Sequence, residues 1–199
     1  PAGPSLLDEM SGAAFYFGLM CALSDEVGDI TQRMSFDDAK HNFHAAARYG
    51  LNCNLRWLGG REWKARDLIL DELLPLSARG LAARDVPDED AERYLGVLES
   101  RVRSGRTGSQ WALDSLAAMG DRGTVDERHR ALTAAMVHNQ TESRPVHTWE
   151  LAEVSDTGDW RHSYRTVRQV MSKELFTVHP EDLVDLAASV MEWEHIRHV

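Results

Sequence analysis

The sequence predicts a mainly α protein: a multi-helix domain with a small β-hairpin, followed by a partial α/β unit. Apolar residues recur at helical spacing over most of the first ~140 residues, as expected of helices that bury one face. That period is lost around Gly59-Gly60, where Leu55, Trp57 and Trp63 flank a turn-forming pair. From Tyr164 to Val199 the pattern changes again, to a short apolar stretch, a helical stretch and a second apolar stretch.

The first helix is expected from about Ser5 to Asp29. Ser5 can cap its free N–H groups, with Asp8 three residues on. Its middle, from Ala13 to Leu23, is apolar all round, which predicts burial on several sides. A second helix opens at Ser35, with Asp38 at the box position, and stops at Gly50. Phe36, Ala39, Phe43, Ala46 and Ala47 share one side of it and are its expected inner face. After the hairpin a third helix is expected from Ala65 to Arg79, with Gly80 beyond its end. Pro75 lacks an N–H and crowds the preceding turn, so a kink or break is expected near Asp71 to Leu74.

Pro87, followed by Asp88, Glu89 and Asp90, opens a fourth helix that ends near Gly105. Thr107 or Ser109 starts a fifth, which ends at Gly120. Thr124-Val-Asp-Glu127 is a capping box for a sixth, running to about Gln140. Residues 141–163 are polar and irregular, and are expected to dock on neighbouring structure through Trp149 and Trp160.

These elements group as a helical unit (1–151), a linker (152–163) and an incomplete α/β half-unit (164–199). The half-unit stops inside an apolar stretch. Ile196 and Val199 would enter a sheet whose other strands lie elsewhere, because a strand's backbone groups need partners. With Pro1 in the place of an initiator Met, the expectation is a piece of something larger. No charged segment leads into an apolar one at the start. No apolar run approaches the roughly 18 residues of a bilayer span, so no membrane is expected. A net charge of −10 argues against a nucleic-acid surface. Cys21 and Cys53 lack CxxC spacing and are expected to be buried thiols in a cytoplasmic protein.

Candidate chemistry lies first in Asp37 to Leu51. Helical spacing gathers His41, His44 and Arg48 on one face, with Asp38 and Asn42 beside it. The forked guanidinium of Arg48 matches a phosphate or a carboxylate, so Arg48 and Asn42 are candidate substrate- or nucleotide-binding residues. The alternative is that Arg48 pairs with Asp37, Asp38 or a helix end and that the histidines are simply exposed. The spacing of His41 with His44, and of His195 with His198, lacks a third ligand in register, and no metal site is assigned. Arg106 is the third candidate. It lies among three arginines and two glycines before a helix start, where free N–H groups attract anions. The alternative is a helix end at Gly105 followed by a cap at Thr107 or Ser109. No Ser, Cys or Thr has a local base, so catalytic residues stay unassigned.

Asp37 to Leu51, with Asn42, an aromatic, small residues and the ending Ala47-Arg-Tyr-Gly-Leu51, resembles the C-terminal signature of the bacterial glutamate–cysteine ligase-like (carboxylate–amine ligase) family. The hairpin, Leu68 to Pro75 and Arg106-Thr-Gly-Ser-Gln-Trp111 extend the resemblance over about residues 5–151. Residues 164–199 resemble the first half of a CBS motif. Val167–Met171 would be its entry helix, Leu175–Val178 its first strand, Pro180–Met191 its helix, and His195–Val199 the start of its next strand.

The resemblance implies ATP- and Mg-dependent joining of glutamate's γ-carboxylate to an amine through an acyl phosphate, stabilised by metal and arginine. The family carries its metal-binding carboxylates on an N-terminal antiparallel sheet, and no such strand-rich region is present here. The implied chain is inactive alone. Its partners would be the missing catalytic sheet and the rest of the CBS motif, and a homodimer stays open. ATP and Mg would belong to the parent enzyme; no residue of this chain requires a cofactor. The alternative is a helical scaffold or regulatory module that binds adenine nucleotide or a protein partner through its CBS portion.

Overall fold

A computed structural model describes residues 4–157 and 175–195. The protein is mainly helical with one antiparallel hairpin among the described residues, as the sequence predicts. It divides into units Pro1–Thr157 and Gly158–Val199, each described by itself.

Helix α1 spans Leu6–Ala22, with Ser5 as its cap. It continues as a wider π-helical turn over Leu23–Val27 and stops at Gly28, whose φ of 68° favours glycine. It lies against α4 (Leu74–Ala82) and α5 (Asp88–Ser104). Its buried face is Asp8, Ser11, Gly18 and Ala22, residues small enough for the backbones to come close. Burial on several sides is therefore corrected: the larger apolar side chains Leu6, Tyr16, Phe17 and Met20 point outward. The joined helix Leu6–Val27 has 22 residues and a mean hydropathy of 1.3 in its most apolar window. Against the sequence expectation, it is long and apolar enough to cross a membrane by length and composition. In this fold its polar face is already engaged by α4 and α5.

Helix α2 spans Phe36–Tyr49, capped by Ser35 and stopped at Gly50. Strands β1 (Asn54–Arg56) and β2 (Glu62–Lys64) pair with Leu55 opposite Trp63 around the Gly59-Gly60 turn. The side of α2 that meets β1 holds Asp38 and Asn42. The expected inner face is outward instead, with Phe36 80% and Phe43 72% exposed.

A single turn, α3 (Ala65–Asp67), leads through a π-helical stretch at Leu68–Leu73 into α4. The widening falls where Pro75 was expected to disturb the helix. Pro75 occupies the first turn of α4, where a missing N–H is least felt. The helix does not end at Arg79: Gly80 is inside it and buried against α1. Helix α5 follows Pro87 and ends at Gly105, with φ 71°. Helices α6 (Gly108–Met119) and α7 (Val125–Thr141) start at Thr107 and Thr124, the latter in a complete capping box with Glu127.

Two apolar clusters result. Leu74, Leu81 and Leu95, with Phe15 and Leu98 against them, lie where α1, α4 and α5 meet. Trp111, Met119, Ala131, Val146, Trp149 and Ala152 form the other. Trp111 and Trp149 meet edge-to-face at 4.9 Å, with neither exposed. The chain after α7 is thus part of the core as far as Ala152.

In the second unit, Leu175–Val178 is not the expected strand. His179 donates its N–H to Asp182 Oδ2 at 2.7 Å, closing a turn. Helix α8 therefore begins at Val184 and runs to Trp193, later than the expected start at Pro180. His195 sits in a turn with φ 53°, not in a strand. The expected entry helix Val167–Met171, Trp160 and residues 196–199 lie outside the described residues.

Candidate functional site

The three sequence candidates fall in two places. Asn42 behaves as a piece of the hairpin. Its Nδ2 donates to the Arg56 carbonyl at 2.6 Å, and its Oδ1 accepts the Arg56 N–H at 2.8 Å. A side-chain amide thus takes the place of a third strand at the β1 edge. Asp38, one turn earlier, accepts from Arg56 Nη1 at 2.9 Å and from the Ser35 hydroxyl. Those two bonds, Arg56 first, hold its carboxyl below the usual range, and the same pairing raises the Arg56 guanidinium.

Pinning Asp38 and Asn42 to the hairpin decides where the rest of α2 points. Phe36, Ala39, Phe43, Ala46 and Ala47 form one outward face; Lys40, His41, His44 and Arg48 form the adjoining polar edge. Arg48 lies 5.5 Å over the Tyr49 ring and is exposed. Neither of the pairings with Asp37 or Asp38 considered from sequence is among its contacts. His44 meets Phe43 edge-on at 5.8 Å. Among the described residues no group of three His, Cys, Asp or Glu could hold a metal ion.

Arg106 is distant in role from this face. Its Nη1 donates to the Trp149 carbonyl at 2.7 Å, while Trp111 Nε1 donates to the Glu150 carbonyl at 2.7 Å. The Arg106–Trp111 segment therefore clamps the chain that follows α7. Cys53 is buried, and burial pushes its thiol pKa up, away from nucleophilic use. The groove between α4 and α5, about 770 Å³, is open and lined by Leu74, Pro75, Ala91 and Glu92 among others. Arg79, Asp88 and Glu99 also line it.

One constellation escaped sequence reading. Asp8 is fully buried. Its Oδ2 accepts from the Ser5 hydroxyl at 2.7 Å and from the Val146 N–H at 3.0 Å. Arg101 Nε lies 3.4 Å from its Oδ1, an ion pair without hydrogen-bond geometry, and Arg101 Nη1 donates to the Asp8 carbonyl at 3.3 Å. His147 Nδ1 is buried beside them with no hydrogen-bond partner among the described residues. The only sequence signal was the Ser5–Asp8 cap, which used one function of a carboxylate that serves three. The cluster joins α1, α5 and the turn at Val146–Thr148 as a structural joint.

That joint carries a pH signature. Burial, reinforced by Arg101 and opposed by Asp8, lowers the pKa of His147. Below about pH 6.5 the unfolded chain takes up a proton that the folded chain resists. Stability is therefore expected to fall as pH drops from about 6.5 through the folded pKa. The lowered carboxylates Asp25, Glu26, Asp29 and Asp38 act in a separate window, losing their contribution below about pH 4.5. Melting temperatures from pH 7.5 to 5 should decline in the native chain and less in His147→Gln. Equal slopes would refute the assignment.

No protein-family model matches the chain, and neither does any curated protein or solved structure.

Proposed function

We propose that the chain is a helical scaffold, the C-terminal region of an ATP- and Mg-dependent carboxylate–amine ligase of the glutamate–cysteine ligase type. It presents a face to the reaction and does not hold a complete site. The observation that supports this reading is the outward surface of α2, an apolar platform edged by Arg48, His41 and His44 and pinned to the hairpin by Asp38 and Asn42. A platform fixed to the hairpin, with an arginine at its edge, suits docking to another domain, with Arg48 reaching an anionic group there. The other residues that carry the resemblance, Asn42 and Arg106–Trp111, build this scaffold from within. Of the three candidates, only Arg48 keeps a ligand-facing role; Asn42 and Arg106 act as positioning residues.

Calorimetric titration with Mg-ATP tests the reading. Weak binding is expected, reduced at least about tenfold in Arg48→Ala (on the scale of one charge-assisted contact). No turnover of ATP, glutamate and cysteine by the chain alone is expected. Binding equal in the native chain and Arg48→Ala removes Arg48 from the proposal, and turnover by residues 1–199 overturns the scaffold reading.

A further inference from the structure

Helix α1 is built inside-out. Its fully buried residues, Asp8, Ser11, Gly18 and Ala22, are small or polar, with Phe15 half-buried on the same side. The opposite face carries Leu6 (67% exposed), Met10 (45%), Phe17 (50%) and Met20 (50%), with Tyr16 (66%) at its margin. Exposed Ala13 lies midway along this stripe. Because α4 and α5 already occupy the other side, this stripe is free for an occupant from outside the unit.

The geometry points to a second copy of this chain as that occupant: two α1 helices pair antiparallel about a two-fold axis passing beside Ala13. Three observations select this partner. First, the stripe reads nearly the same in both directions. Leu6, Met10, Ala13, Phe17 and Met20 alternate steps of four and three residues around a small central residue. In an antiparallel pair Leu6 then meets Met20 of the other copy, Met10 meets Tyr16 or Phe17, and Ala13 meets Ala13. A two-fold interface requires this kind of self-complementarity. Ala13 at the centre permits the close axis approach of packed helices, on the order of 8–10 Å.

Second, the area is adequate. Five large side chains about half exposed offer roughly 600 Å² per copy, or about 1,200 Å² in total, at the lower edge of specific interfaces. That predicts a weak dimer. Third, the charge pattern disfavours a lipid surface. Leu6–Val27 contains no Lys or Arg, its charged residues are Asp8, Glu9, Asp25 and Glu26, and the chain carries a net charge of −10. Surface-lying helices draw their hold on anionic lipid from Lys and Arg on the polar face. Asp25 and Glu26 are paired with Arg84 and Arg79, so the acids at this end of α1 do not drive the two copies apart.

Sedimentation velocity of the full chain from about 1 to 500 µM tests the pairing. A monomer–dimer equilibrium with a dissociation constant on the order of 10–100 µM is expected, as for a small interface. Phe17→Glu should raise that constant at least about thirtyfold while leaving the helical circular dichroism and melting temperature unchanged, since Phe17 is exposed. Ala13→Cys in a Cys21→Ser background should form a disulfide-linked dimer on mild oxidation, whereas Glu92→Cys in the same background should not. A native chain monomeric at every concentration overturns the proposal. So does Phe17→Glu dimerising like the native chain, or Ala13→Cys cross-linking no faster than Glu92→Cys. Flotation of the monomer with vesicles, lost in Phe17→Glu, would assign the stripe to lipid instead. None of these results bears on Arg48, so this inference and the scaffold reading stand or fall separately.

Discussion

Gly80→Ala is expected to lower stability by about 3 kcal/mol, the range of a methyl forced into a filled space. A Cβ on Gly80 would fall well inside contact distance of the Gly18 carbonyl oxygen and within 2.9 Å of the Ala22 N. All of these obstacles are backbone, so no side chain can rotate away. The converse change, Gly18→Ala, meets the Ser77 carbonyl and hydroxyl oxygens and Leu81 Cγ. Ser77 adds a bond across the crossing, from its hydroxyl to the Phe15 carbonyl at 2.9 Å. The better helix propensity of alanine, about 1 kcal/mol, offsets part of the clash. At 2–4 °C per kcal/mol for a chain of this size, the melting temperature should drop by about 6–12 °C. Gly96→Ala is the internal control. Gly96 lies within α5 and a Cβ there meets nothing within 4 Å, so that substitution should gain up to about 1 kcal/mol. If Gly80→Ala melts at or above the native temperature, α1 and α4 do not cross as closely as described.

Asp8→Ala should cost about 3–5 kcal/mol, as breaking a buried pair does when one charge is left behind. It strands Arg101, whose side chain is 15% exposed, and leaves the buried Val146 N–H without its acceptor. Arg101→Met should also destabilise, and the double variant should cost at least about 1 kcal/mol less than the two single costs added together. Urea denaturation of the four proteins measures this directly. Strict additivity would mean that Asp8 and Arg101 act independently and that Val146 accounts for the loss. Because Val146 opens the turn that leads to buried Trp149, Asp8→Ala should also lower the near-ultraviolet signal of the Trp111–Trp149 pair.

Local chemistry made the helix ends legible. Ser5, Ser35, Thr107 and Thr124 each accept a backbone N–H three residues on, and Gly50, Gly105 and Gly120 each follow a helix with positive φ. These are contacts between residues close in sequence, so a single chain displays them without an alignment. The Gly59-Gly60 hairpin was legible for the same reason. The buried face of each helix was not. In α2 the 3.6-residue period marks an apolar stripe, but that stripe is outward, and in α1, apolar all round, the larger side chains are outward too. Period alone says that two faces differ; it does not say which one is covered. In α1 the covered face is chosen by Ser77 and Gly80, some 60 residues away, which accept only small residues opposite them.

The candidate site divided along the same line. Helical spacing correctly grouped His41, His44 and Arg48 on α2. The roles of Asn42 and Arg106 were hidden, because their partners, the Arg56 backbone and the Trp149 carbonyl, lie 14 and 43 residues away. The Asp8 joint was hidden by 93 residues to Arg101 and 138 to Val146.

By itself the sequence determined the helical class of the protein, the starts and stops of α1, α2, α5, α6 and α7 to within a few residues, and the hairpin, because caps, glycine stops and turn pairs are short-range physics. The tertiary structure alone decided which faces those helices bury. It put Asp8 at the centre of a joint, Gly80 inside a helix and Arg48 at a free edge. Each of these outcomes depends on the shape and charge of a surface that arrives from far along the chain, and the sequence carries no local record of it.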